Sequence, residues 1–202
     1  MNTIFKKRIL SALISVSALT ASLATSHVAH ADYEAGVTAA QNGDFATALR
    51  EFTEAAEAGL DLAQYNLAIL YYTGQGVEQN YEEAYRWTLA AAEQGHLNSQ
   101  VNLASLYYYG TGTAQNFEEA LRWNTIAAEE GQHPGAQHSL AKMYQLGEGT
   151  PVDLAKAHFW ASAALQNENR EAEKLLREVS ALMTPEQLSE ARRAFAEWML
   201  TL

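Results

Sequence analysis

Four histidines stand beyond the first 31 residues: His96, His133, His138 and His158. Imidazole is the side chain best suited to proton transfer near neutral pH, and a common metal ligand. None of the four belongs to a Gly-x-Ser-x-Gly, Ser-x-x-Lys or His-Glu-x-x-His arrangement. His133 and His138 are five apart with Pro134 between them, so one helix cannot turn both toward a metal. Glu82-Glu83 and Glu118-Glu119 offer paired carboxylates, yet both pairs open predicted helices, where the macrodipole favours negative charge. Gly74-x-Gly76, Gly110-x-Gly112 and Gly147-x-Gly149 could cradle a phosphate. They lack a third glycine at the right distance and join helix to helix, so they read as turns that need positive φ. The chain has no cysteine, which removes thiolate catalysis, disulfides, cysteine metal sites and an N-terminal lipid-bearing cysteine together. These residues assign no catalytic, metal or cofactor-binding site, and the expectation is a protein that is not an enzyme.

The elements around those residues repeat. The glycine pairs recur at steps of 36 and 37, as do Trp87, Trp123 and Trp160. The pairs Ala91-Ala92, Ala127-Ala128 and Ala163-Ala164 recur at steps of 36. A fixed period in this range is the signature of a stacked array. Each unit reads as two antiparallel helices. Leu67, Ala68 and Tyr71 mark one apolar face of a first helix, repeated by Leu103, Ala104, Tyr107 and by Leu140, Ala141, Tyr144. Asn80, Asn116 and Asp153 are the predicted N-caps of the second helices. Glu83 and Glu119 follow three residues later as capping-box partners, with Lys156 in the third unit. Gly59, Gly95 and Gly131 are expected to close the second helices at positive φ, and Asn167 stands in the last such place. One additional residue falls between Gly131 and Gln137.

Residues 32–60 hold a shorter unit, with Gly36, Gly43-Asp44-Phe45, Ala48 and Ala55 at tetratricopeptide-like spacing. With these residues in place, the three longer units (61–96, 97–133 and 134–169) resemble Sel-one-like repeats (SLR), relatives of the tetratricopeptide repeat with a longer loop. The resemblance covers roughly residues 33–169. It implies an all-α solenoid of stacked antiparallel helix pairs, with the first helices lining a concave side, and an adaptor role without chemistry. Residues 170–202 differ in kind. Leu175, Leu176, Val179 and Leu182 mark one amphipathic helix, and Thr184-Pro185-Glu186-Gln187 opens another with Leu188, Ala191, Phe195 and Trp198 on its apolar stripe. Open stacks need such capping helices.

Residues 1–31 form an expected secretory signal. Lys6, Lys7 and Arg8 precede an apolar run, and Ala29-His30-Ala31 supplies the small-x-small cleavage site, leaving Asp32 first. The run is too short to span a bilayer. A soluble periplasmic protein of the bacterial envelope follows, with no membrane insertion after cleavage and no disulfides. Removing three cations moves the formal net charge from −11 to −14, which argues against nucleic-acid binding.

Aligning the first helices on their shared core leaves one variable face per unit. Tyr65, Ile69 and Tyr72 form it in the first, Val101, Ser105, Tyr108 and Tyr109 in the second, and His138, Lys142 and Gln145 in the third. Tyrosine is enriched at binding hot spots, which points to a groove aromatic at one end and polar, with one cation, at the other. The reading is an exported, monomeric, protein- or peptide-binding adaptor that uses no cofactor. A structural component of an export or motility assembly is the second reading. A cell-wall or β-lactam-directed hydrolase is the third.

Overall fold

A computed structural model describes residues 30–201, and among them there are helices and no strand. The expected export signal lies outside the described residues except for residues 30 and 31, which begin the first helix. That helix, α1, runs over 30–41. It is followed by α2 (Phe45–Glu57), α3 (Asp61–Thr73), α4 (Tyr81–Glu93), α5 (Leu97–Tyr109), α6 (Phe117–Glu129), α7 (Pro134–Leu146), α8 (Leu154–Gln166), α9 (Ala172–Ala181) and α10 (Pro185–Met199). Two compact units divide between Asn80 and Tyr81. Among the described residues no helix is long and apolar enough to cross a membrane.

The first unit holds α1, α2 and α3. Asp44 caps α2, its side chain accepting from the Thr47 N–H at 3.1 Å. Phe52 fills the space beside Gly36, where a Cβ would lie 2.6 Å from its ring. The buried Gln64 amide donates to the Ala56 carbonyl and ties α3 to the end of α2.

The second unit packs its helices as successive pairs, α4 on α5, α5 on α6, α6 on α7 and α7 on α8. Leu103, Ala104, Ala92 and Trp123 form one buried cluster. Leu140, Ala141, Ala157 and Trp160 form another, with Leu175 and Val179 of α9. The alanines let helices approach closely, and the indoles fill what remains. The seven-residue loops between paired helices are pinned from beneath. A Cβ on Gly112 would sit 1.9 Å from the Tyr81 carbonyl oxygen, and one on Gly149 2.3 Å from that of Phe117.

Four local expectations need correction. Glu119 does not close a capping box with Asn116. The Asn80 and Asn116 N–H groups donate to the Tyr71 and Tyr107 carbonyls at 2.9 Å. The glutamates pair with Arg86 and Arg122 one turn on. Gly131 and Asn167 do not hold the left-handed positions; Gln132 (φ 48) and Glu168 (φ 68) do. The residue that closes each connector explains this. Leu60, His96, His133 and Asn169 each donate back to Ala55, Ala91, Ala127 and Ala164, and the left-handed residue always immediately precedes the donor. The additional residue shifts that place by one. Leu182 lies just past α9 and is 61% exposed rather than on its buried face. The capping box at Thr184 and Gln187 forms as expected, and α9 and α10 both pack on α8.

Candidate functional site: the first-helix face

Of the expected binding residues, Tyr65, Ile69 and Tyr72 lie on α3 in the first unit. Tyr65 and Ile69 are half-buried and Tyr72 is 46% exposed. In the second unit Val101 packs against the apolar cluster, so it serves the core. His138 and Gln145 are half-buried on α7. Burial holds the His138 imidazole below its ordinary pKa; Glu171 opposes that shift and Lys142 adds to it.

Ser105, Tyr108, Tyr109 and Lys142 come together. They line a recess of about 90 Å³ shared by α5, α6 and α7, with Ala104, Asn124, Ser139 and Met143 completing its wall. The two tyrosines do different work. Tyr108 is half-buried, edge-on to Phe117 at 5.2 Å, and its hydroxyl donates to Glu148 at 2.9 Å. Desolvation first, and the Glu148 carboxylate second, push its pKa up to about 12. It stays a neutral donor at any physiological pH. Tyr109 stands edge-on to Tyr108 at 4.9 Å and is 73% exposed, so its ring is the open apolar surface of the recess. Tyr108 is thus a wall held by the fold, and Tyr109 is the ring left exposed beside it. The core tyrosines behave differently again: Tyr107 is tied to Tyr85 by a 2.7 Å hydroxyl pair.

The histidines are placed by the helices. His96 and His133 are N-caps, their Nδ1 atoms accepting from the Ser99 and Ala136 N–H groups at 3.2 Å. His158 is buried within α8 beside Ser162, whose hydroxyl donates to the His158 carbonyl at 2.8 Å. Ser99, beside His96, is fully buried and Ser162 nearly so, so neither hydroxyl faces solvent as a nucleophile must. Asp32, Glu51 and Glu54 bring carboxylate oxygens within 4.8 Å of one another in the first unit. Two different helices build that cluster, so spacing along the chain does not reveal it.

Two features escaped sequence reasoning. Asn124 belongs to a second helix, outside the face that alignment of the first helices selects. Gln64, Gln100 and Gln137 recur at the repeat period, and each buried amide donates to a carbonyl of the preceding helix. That periodicity was available in the sequence as a signal for a buried polar strut.

A family model for the Sel1 repeat matches residues 61–96, 97–132 and 134–169, just over half of the chain. No curated protein sequence matches it. The structure is similar to a protective antigen present in uropathogenic Escherichia coli strains and displaying an SLR fold, at 28% identity and a TM-score of 0.73. That likeness covers 84% of this chain and 38% of the antigen, so the chain spans well under half of the antigen's length. It is also similar to a Sel1 repeat protein from Oxalobacter formigenes, at 27% identity and a TM-score of 0.72, covering 85% of this chain and 75% of that one. Three matched repeats and paired helices of the SLR kind establish that the chain belongs to the Sel1-repeat family.

Proposed function

We propose that the protein is an exported, non-enzymatic adaptor that holds a peptide or protein segment on the first-helix face of its second unit. Sel1 repeats are commonly protein-interaction scaffolds, and the observation that supports this reading is the recess. It gathers an exposed aromatic ring, a lysine and two serine hydroxyls beside a floor of Ala104 and Met143. An amphipathic ring beside a small polar pocket is the composition of a binding hot spot. Chemistry is disfavoured by the burial of the Ser–His contacts, each of which is local to one helix and its cap. Export rests on the charge pattern of residues 1–31 and on the absence of cysteine.

The test is in-cell photocrosslinking with a photoreactive residue at position 109 or 142, and a control at Glu118 on α6. Capture of one envelope partner from 109 and 142 but not from 118 supports the adaptor. Equal capture from all three, or none, overturns it. N-terminal sequencing of the periplasmic form should begin at Asp32.

A further inference from the structure

Asn124 is not demanded by the repeat. The equivalent second-helix positions carry Thr88 and Ala161, both of which satisfy the same packing. Asn124 is 5% exposed, yet its amide lines the recess. Among the described residues its one partner is Met143 Sδ, at 3.7 Å, a weak acceptor. Either orientation of the amide therefore leaves one polar end without a strong partner at a residue that lines the recess. The amide keeps capacity for a further hydrogen bond to whatever enters the recess.

The rest of the wall says what kind. Lys142 is the one cation among the lining residues, and no carboxylate is among them. Its side chain is exposed at the rim, so its charge is not neutralised by burial. The recess is small, about 90 Å³. A recess of that size suits the head of one side chain. The Tyr109 ring beside it covers methylenes.

We propose that this recess receives the carboxylate side chain of a partner peptide, an aspartate or glutamate that pairs with Lys142 and hydrogen-bonds the Asn124 amide. This rests on the adaptor reading and adds the chemistry of what is bound. The chain's formal charge of −11 repels strongly acidic segments, so the fitting partner carries a single carboxylate in an otherwise neutral or basic stretch.

The experiment uses the full chain and acetylated, amidated heptapeptide libraries with neutral degenerate flanks and Glu, Asp, Gln or Asn fixed at the centre. Fluorescence anisotropy should show the Glu or Asp library binding at least tenfold tighter than its amide counterpart. Lys142→Gln should erase that preference. Lys142→Glu should turn it toward a library centred on lysine, which a merely structural lysine would not do. Both changes are at an exposed side chain and leave the packing intact. If the Gln library binds as tightly as Glu and Tyr109→Ala abolishes both, the face binds peptides and the carboxylate inference is overturned. Binding that requires a free peptide C-terminus also overturns it, in favour of a main-chain carboxylate. No binding by any library overturns the inference together with the adaptor reading.

Discussion

Replacing Gly112 by alanine should cost far more than the same change at Gly95, although both sit at positive φ in the second unit. At Gly95 (φ +90) nothing lies within 4 Å of the added Cβ. The cost there is the left-handed backbone alone, about 1–2 kcal/mol. At Gly112 (φ +70) the same backbone term applies, but the Cβ falls 1.9 Å from the Tyr81 carbonyl oxygen and 3.1 Å from the Glu82 nitrogen. These are main-chain atoms of the first turn of α4, so no rotamer change relieves the overlap. The loop or the helix start must move by more than an ångström. Overpacking of this kind adds about 1–3 kcal/mol, so Gly112→Ala should lose about 2–5 kcal/mol in all. Urea unfolding followed by circular dichroism measures both variants against the parent. Hydrogen exchange at the α4 start then reports whether the loss is local, as expected where neighbouring repeats are separable. Equal destabilisation of the two variants would refute the close-approach argument and leave only the backbone term.

Four further outcomes follow from the same geometry. Gln132→Gly and Glu168→Gly should each stabilise the protein by about 1 kcal/mol, since both residues hold left-handed φ; a lower thermal midpoint in either would count against the strain. Gln137→Met removes the amide that donates to the Ala128 carbonyl and the oxygen that accepts from Asn167, and should cost about 1–3 kcal/mol in urea unfolding, whereas no loss would mean water replaces the strut. Burial holds the folded pKa of His158 and His138 below the ordinary value of 6.5, so the unfolded chain takes up protons first as pH falls. Stability should therefore decline from about pH 6.5 downward until the folded groups titrate, by at most about 1.4 kcal/mol per pH unit per histidine. His158→Gln should flatten that decline, and an unchanged profile would refute it. Deleting residues 170–202 uncovers Trp160 and the alanines of α8 by removing Leu175 and Val179, and should cause aggregation or unfolding; a soluble, cooperative truncation would assign the end another purpose.

Most of the helical architecture was legible because its causes are local. Asn116 and Asp153 cap the helices whose first turns they precede, and Thr184 with Gln187 closes its box within four residues. Periodic Trp and Ala marked the buried faces correctly, for a helix shows its apolar stripe at fixed spacing. Legibility stopped where two local options compete. The Asn116 N–H had a choice between the Glu119 side chain and the Tyr107 carbonyl, and the carbonyl, held by the preceding helix, won. Counting by 36 placed the left-handed residue at Gly131, whereas the closing bond from His133 to Ala127 placed it at Gln132.

The binding face divides the same way. By itself the sequence determined that α5 and α7 present variable residues on one stripe, because the shared Leu-Ala-Tyr core dictates which side of each helix is left over. Only the tertiary structure decided which of those residues line one recess. Packing against Phe117 and a hydrogen bond to Glu148 made Tyr108 a wall, and exposure left Tyr109 free. The approach of α5, α6 and α7 brought Lys142 and the Asn124 amide to one recess. Those contacts join residues 9 to 40 positions apart on different elements. No periodicity within a single helix encodes them, because they arise from the distance and angle at which whole helices pack.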